Sequence, residues 1–195
     1  ASGEVSGFEA LARWHHEDRG EISPNEFIPV AEESGLILSL GRWAMHRAAE
    51  TLADWDKAAG ETLPLYMGVN LSAHQIARDD VAAVVEQALK ASGIGGNRLS
   101  LELTESAIVQ DPGRATRVLD ALKALDATVA MDDFGTGYRN PRACSNACDA
   151  GMQLGPGILL RASAGRGRGA RLLAVAEARG LNSGHVAEES RTGSK

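Results

Sequence analysis

The chain has 195 residues and a net charge of −6, with 44% hydrophobic and 24% charged residues. This length suits one domain with a substantial core, and the composition excludes an intrinsically disordered chain. No apolar run is long enough for a membrane-spanning helix, and the acidic charge argues against a nucleic-acid polymer as partner. The first residues carry no basic stretch ahead of an apolar one, so we expect no signal peptide. Two cysteines are too few for a disulfide framework, which predicts a reducing, cytoplasmic compartment.

The composition changes after Tyr138. Up to that residue the chain holds 11 Lys and Arg against 22 Asp and Glu, and after it nine against four. All eight aromatic residues precede the change, and both cysteines follow it. Because aromatic side chains dominate core burial, the part after Tyr138 is poorly equipped to fill a core. We therefore expect one domain over residues 1–195, with a well-formed part at 1–138 and a divergent part at 139–195.

Apolar patterns in the first part predict strands that alternate with helices. The strands are expected at residues 5–14, 65–71, 99–103 and 128–131, and the helices at 24–34, 40–55, 80–92 and 111–125. Ser23, Pro24 and Glu26 form a capping-box pattern for the first helix, which Gly35 ends. Trp43 and Trp55 of the second helix are expected to face the core. Such alternation predicts a parallel α/β sheet, and these units could form most of a barrel.

Five polar residues fall within or directly after the predicted strands: Glu9, Asn70, Glu102, Asp132 and Asp133. Parallel sheets and barrels gather their reactive groups at the carboxyl edge of the strands. Four carboxylates and an amide at one mouth would repel each other without a cation, and oxygen-only ligands favour Mg²⁺ or Mn²⁺ over Zn²⁺. Adjacent Asp132 and Asp133 could serve one or two metals, as phosphodiester hydrolysis uses.

Acidic residues at strand ends also serve as helix caps, which is the alternative interpretation for each of them singly. Glu102 is harder to explain that way, because it lies inside a strand where a buried parallel sheet is apolar on both faces. The segment at 132–138 is the next strongest signal, since two acids end a strand and two glycines then free the backbone near a ligand. As structure alone, the same segment would be a tight loop.

Six motifs, in this order, resemble the EAL domain family of cyclic di-GMP phosphodiesterases. They are Glu9-Ala10-Leu11-Ala12-Arg13-Trp14, Phe27-Ile28-Pro29-Val30-Ala31-Glu32, Gly35-Leu36-Ile37, Val69-Asn70-Leu71-Ser72, Glu102-Leu103-Thr104-Glu105 and the segment 132–138. The resemblance covers residues 3–138. It implies a TIM-barrel-like (β/α) enzyme that uses Mg²⁺ or Mn²⁺ to open cyclic di-GMP to linear pGpG in bacterial second-messenger signalling.

The resemblance also implies a role for each matching residue. Glu9, Asn70, Glu102 and Asp132 match the ligands of the first metal, and Asp133 matches a residue at the second. Arg13 matches the contact to a substrate phosphate, which suits a guanidinium fork. Glu105 matches a glutamate that steadies the loop beginning at Asp133. That loop, up to Tyr138, is associated with homodimers in the family, and sensor or cyclase domains in the same protein are expected.

After Tyr138 the chain departs from the family pattern. Gln153 stands in the place of the catalytic lysine, and Glu188 matches a further active-site glutamate. The first and last strands of the family are missing, so the barrel is expected to be incomplete at both ends. Glutamine carries no charge and cannot act as a base, and loss of one such group costs about 100- to 10,000-fold in rate.

Two functions are therefore open. One is a metal-dependent cyclic di-GMP phosphodiesterase that is impaired in this chain. The other is a catalytically degenerate module that acts as a cyclic di-GMP receptor or a protein-interaction scaffold. Gradual divergence and a sequence error between about 139 and 170 are both open explanations for the altered part.

Overall fold

The computed structural model of the chain describes residues 5–132, 151–153 and 158–164. Side chains are described for residues 5–103 and 108–131. The strands are β1 (Val5–Ala12), β2 (Trp14–His16), β3 (Gly20–Ile22), β4 (Tyr66–Leu71), β5 (Leu99–Thr104), β6 (Thr128–Asp132), β7 (Gly151–Gln153) and β8 (Ile158–Ala164). The helices are α1 (Pro24–Ser34), α2 (Ile37–Ala59), α3 (Ala73–Arg78), α4 (Val81–Ser92), α5 (Glu105–Gln110) and α6 (Pro112–Ala124), with a short 3₁₀ helix at Gly96–Arg98.

Six of the strands form one sheet in the order β6-β5-β4-β1-β8-β7. The four neighbouring strands that alternate with helices are parallel, as the sequence predicts: β1, β4, β5 and β6. β8 instead pairs antiparallel with β1, and β7 pairs antiparallel with β8. No strand is predicted from the sequence after residue 131, so β7 and β8 are additional to the predicted parallel sheet. Only four residues separate β7 from β8, whereas a parallel pair needs a crossover of about a dozen residues or more. The fold is mixed α/β around a parallel sheet, consistent with a partial TIM-barrel-like domain.

The first helix begins and ends where the sequence predicts. The Ser23 hydroxyl accepts a hydrogen bond from the backbone N–H of Asn25 at 3.3 Å, and the Ser23 N–H donates to the Glu26 carboxylate at 3.3 Å. This is the predicted capping box. Gly35 ends the helix at φ 78°, a conformation that favours glycine. Together these caps fix the direction in which α1 leaves the β2–β3 hairpin.

The core lies on one face of the parallel sheet. Phe8, Met67, Val69 and Leu101 alternate along three neighbouring strands and are buried with apolar side chains of the helices α2, α4 and α6. In α2, Trp55 is 3% exposed and packs edge-on against Phe8 with ring centroids 4.9 Å apart. Trp43 is 39% exposed, so the expectation that it faces the core is wrong. None of the described helices is long and apolar enough to cross a bilayer.

A buried arginine stabilises the end of the sheet at which β4 begins. Arg98 is 8% exposed, donates through Nε to the carbonyl of Leu65 at 2.8 Å, and pairs with the carboxylate of Asp56. Asp56 also accepts the backbone N–H of Leu63 at 2.9 Å. Arg98 therefore connects the end of α2 to the start of β4. These contacts lie at the opposite end of β4 from Asn70.

Candidate functional site

Strand register places three of the predicted site residues on the same face of the sheet. Glu9 of β1 pairs with Gly68 of β4, and Asn70 of β4 pairs with Glu102 of β5. Registered neighbours in parallel strands point to the same face, as do residues two apart in one strand. The core occupies the opposite face, so these polar residues share the face that the core leaves open. This alternation explains why a carboxylate is tolerated inside β5.

A hydrogen bond joins two side chains of this group, and the third lies against the backbone between them. The Asn70 amide Nδ2 donates to Glu9 Oε1 at 2.9 Å, a contact between residues 61 positions apart in the chain. Glu102 lies over Gly68, where a Cβ atom would stand 2.5 Å from Glu102 Oε1. Glycine at position 68 therefore makes room for the Glu102 carboxylate between the strands. The structure brings Glu9, Asn70 and Glu102 together at one edge.

A cavity of about 490 Å³ opens beside this group, and Asn70 and Glu102 contribute to its lining. Its other walls come from β1, α1, α2, the turn that follows β4, α3 and the end of α5. Glu32 of α1 and His74 of α3 both line it, with His74 Nδ1 3.7 Å from Glu32 Oε1. Sequence reasoning assigned no role to either residue. The cavity therefore combines apolar walls with a polar pair away from the strand edge.

Arg13 stands at the junction between this cavity and a second one. It lines both, the second having a volume of about 610 Å³ and walls that include Trp14, Phe27 and Trp43. One guanidinium nitrogen, Nη1, donates to the carbonyl of Ala12 at 3.1 Å. That bond engages a single N–H group of a five-donor fork. Arg13 is therefore placed where a phosphate entering the first cavity could meet it.

The remaining predicted site residues are only partly described. Asp132 ends β6 and pairs in register with Thr104 of β5, two residues beyond Glu102. Glu105 is the first residue of α5, and Gln153 ends β7, which is two strands from β1. The side chains of these three residues are not described. Asp133, Glu188 and the predicted dimerisation loop lie outside the described residues.

The donor set at the strand edge suits a hard cation. Glu9 and Glu102 offer carboxylate oxygens, and Asn70 offers an amide oxygen, so every donor is oxygen. Among the described residues no three His, Cys, Asp or Glu side chains lie close enough to hold a metal alone. The described part of the chain therefore contributes two carboxylates and one amide. Mg²⁺ and Mn²⁺ accept such ligands and complete their coordination with water and substrate oxygens.

The helix that follows Asn70 is held by an ion pair with α2. Arg42 donates to both carboxylate oxygens of Asp79, at 3.1 and 2.5 Å. These hydrogen bonds hold the pKa of Asp79 below its usual value, against the opposing effect of burial. Arg114 of α6 donates to the backbone carbonyl of Asp79 at 3.0 Å and to that of Ile76. α3 is therefore fixed from two sides.

Comparison with known proteins identifies the family to which these motifs point. A sequence model of the EAL domain matches residues 1–148. A protein of Caulobacter vibrioides named as an uncharacterized signaling protein is 49% identical over 138 residues, which is 71% of this chain. The cyclic di-GMP phosphodiesterase PdeR of Escherichia coli is 40% identical over 137 residues, which is 70% of this chain. The matched stretch covers 16% and 20% of these two relatives, respectively.

A solved structure agrees with the sequence comparison. The structure described as the PaMucR phosphodiesterase in complex with c-di-GMP superposes with a TM-score of 0.62 and 36% identity. The match covers 69% of this chain and 54% of the other. The chain therefore spans only part of each protein that it resembles.

Proposed function

Because this chain belongs to the EAL domain family, we propose that its strand-edge site binds cyclic di-GMP with a divalent cation and is built to hydrolyse it to linear pGpG. The observation that carries the proposal is the convergence of Glu9, Asn70 and Glu102 on one face beside a cavity of about 490 Å³. These side chains come from three separate strands. A purely structural role would not require all three at the same edge.

The proposed metal ligands are Glu9, Asn70, Glu102 and Asp132, with Asp133 at a second metal. A bound Mg²⁺ or Mn²⁺ would supply positive charge to a phosphate oxygen and lower the pKa of bound water. The contact between Asn70 Nδ2 and Glu9 fixes both side chains on the open face before an ion arrives. The absence of a side chain at Gly68 gives the Glu102 carboxylate room on the same face.

Opening cyclic di-GMP to pGpG adds one water across a phosphodiester bond. The water oxygen bonds to phosphorus, the bond from phosphorus to the 3′ oxygen breaks, and that oxygen takes up a proton. We assign Arg13 to a non-bridging phosphate oxygen, because it lines the cavity and, within the described part of the chain, only its Nη1 is engaged in a hydrogen bond. Glu9 and Glu188 are the proposed catalytic carboxylates, and Glu105 is proposed to steady the loop that starts at Asp133.

Gln153 is proposed to limit the reaction. A lysine at this position would place positive charge beside the attacking water and could take part in its deprotonation. Glutamine at the end of β7 can only hydrogen-bond that water. We therefore propose that this chain hydrolyses cyclic di-GMP slowly while retaining the residues that bind it.

A second candidate function follows from the same residue. If Gln153 abolishes turnover, the chain acts as a cyclic di-GMP receptor or as a protein-interaction scaffold. The cavity and Arg13 serve binding equally well in that case. Retention of Glu9, Asn70 and Glu102 at the strand edge favours the enzyme, because a receptor has no need of this set of metal ligands.

The surroundings of the site are proposed on the same basis. We place the chain in the bacterial cytoplasm as one domain of residues 1–195, in which 139–195 diverges from the rest. Because the matched stretch is 16% and 20% of the two curated relatives, we propose that sensor or cyclase domains are linked to it. The loop at 133–138 is the proposed homodimer contact. We propose no nucleic-acid polymer as partner and no membrane insertion by this chain.

Titration of the chain with cyclic di-GMP, with and without Mn²⁺, tests the proposal while the linear product is followed by chromatography. Slow formation of pGpG that depends on Mn²⁺ is the expected result. Binding without product would establish the receptor instead. Absence of both binding and product would refute the proposed function.

A further inference from the structure

Asn70 is the second-last residue of β4, directly before the short turn into α3. Only Leu71 and Ser72 separate Asn70 from the first residue of α3, which has six residues. Such a short helix has little stability of its own, because few backbone hydrogen bonds offset the cost of its first turn. Pairing with Glu102 of β5 sets the face on which Asn70 lies. The exact position of this last part of β4 depends in addition on whatever holds the following turn in place.

A reciprocal pair of hydrogen bonds closes the turn. The Ser72 backbone N–H donates to Gln75 Oε1 at 3.0 Å, and the Gln75 N–H donates to the Ser72 hydroxyl at 3.4 Å. This capping box satisfies backbone donors at the start of α3. Gln75 is 5% exposed, so its side chain is enclosed rather than free to exchange this bond for water.

The Gln75 side chain packs against a glycine of α2. A Cβ atom at Gly41 would lie 1.9 Å from Gln75 Nε2 and 2.6 Å from its Cδ. Any larger residue there would displace the Gln75 side chain, and the displaced side chain would lose its bond to Ser72. Arg42, the next residue of α2, holds the far end of α3 through Asp79. Gly41 and Arg42 of α2 thus contact the two ends of α3.

We infer that Gln75, seated against Gly41, is a positioning residue for Asn70 that holds the β4–α3 turn so that the Asn70 amide faces Glu9. This inference rests on the proposed function, in which Asn70 is a metal ligand. The Gln75 side chain and backbone N–H bond to Ser72, and Gln75 lines the same cavity as Asn70 and Glu102. Its proposed effect on Asn70 runs through the turn.

Two substitutions in the 195-residue chain test the inference from opposite sides of the contact. Gly41→Ala pushes the Gln75 side chain away, and Gln75→Met keeps a side chain of similar length but removes the acceptor for Ser72. The matched control is Gly113→Ala in α6, where a new Cβ would meet its nearest atoms at an ordinary 3.7 Å. The control changes the same residue type in a helix without a clash.

The readouts are the NMR signals of the Asn70 side-chain and backbone amides, and the Mn²⁺ concentration that half-saturates the chain. In Gly41→Ala and Gln75→Met the Asn70 signals should shift or broaden, while signals from the middle of β5 stay in place. The half-saturating Mn²⁺ concentration should rise by about 10-fold or more, the range typical for loss of a group that orients a ligand. Gly113→Ala should change neither readout.

Unchanged Asn70 signals in both variants would overturn the inference. A change spread evenly over β4, β5 and β6 would also overturn it, because that pattern marks a general packing defect. If the unsubstituted chain binds no Mn²⁺ while the Asn70 signals still respond to Gly41→Ala, the proposed function fails and the positioning of the turn stands. If either variant fails to fold, the other still decides the result.

Discussion

Gly68 offers a way to perturb the site without perturbing the fold. A Cβ atom at this position would lie 2.5 Å from Glu102 Oε1, whereas ordinary contacts begin near 3.4 Å. In Gly68→Ala the carboxylate oxygen must therefore move by about 0.9 Å. The obstructed atom is the end of a flexible side chain, so the backbone of β4 and β5 can stay in place. The Glu102 carboxylate is then displaced from its position relative to Asn70 and Glu9.

The effects of Gly68→Ala on stability and on the site should differ strongly. Replacing glycine by alanine within a strand stabilises the fold by about 0.5–1 kcal/mol. Forcing Glu102 from its rotamer costs about 0.5–1.5 kcal/mol. The net change in the free energy of unfolding should stay within about 1 kcal/mol, a shift in Tm of roughly 4 °C or less. Binding of Mn²⁺ should weaken by about 10- to 100-fold.

Isothermal titration with Mn²⁺ and thermal unfolding, performed on the same preparations, measure both quantities. Gly113→Ala is again the control and should bind Mn²⁺ as the unsubstituted chain does. Equal Mn²⁺ affinity in Gly68→Ala and the unsubstituted chain would refute the reasoning. A fall in Tm of more than about 10 °C would refute the claim that only a side chain is obstructed.

Three further changes have defined outcomes. Gln153→Lys should raise the rate of cyclic di-GMP hydrolysis by about 100- to 10,000-fold, measured as pGpG formed with Mn²⁺; no gain in rate would show that this position does not limit the reaction. Arg98→Met should lower the free energy of unfolding by about 3 kcal/mol, since it leaves Asp56 without its buried partner, and a Tm within 2 °C of the unsubstituted chain would contradict this. Because Arg42 lowers the pKa of Asp79, the pair stabilises the fold above the usual carboxyl range, and this stabilisation is lost as the pH falls through the lowered pKa. Chemical unfolding of Asp79→Asn should therefore show a weaker pH dependence below about pH 4 than the unsubstituted chain, and identical pH profiles would count against the ion pair.

Local chemical signals in the sequence predicted the elements that position the site. Ser23 and Glu26 predict the start of α1 because a capping box depends only on residues within one helical turn. Gly35 predicts its end because the left-handed conformation favours glycine. Glu9 and Glu102 interrupt apolar strands, and such interruptions are visible without knowledge of the fold. The gathering of Glu9, Asn70 and Glu102 at one edge then followed from the topology of parallel strands.

Short elements and long-range pairings escaped the sequence analysis. β2 and β3 have three residues each, which is too few for a hydrophobic period to show. The six residues of α3 are also too few to show a helical period. Pairing of β8 with β1 joins residues about 150 positions apart, which no local pattern encodes. Trp43 fits the helical spacing of the core face, but its side chain is partly exposed and lines a cavity instead. His74 and Glu32 meet only because α1 and α3 pack together.

Anomalous diffraction from crystals grown with Mn²⁺ and cyclic di-GMP tests the central claim most directly. The account predicts a manganese peak bounded by Glu9, Asn70 and Glu102, with metal–oxygen distances of roughly 2.0–2.3 Å, and a phosphate of the ligand next to Arg13. A peak elsewhere, or ligand density in the cavity with no metal at this edge, would contradict it.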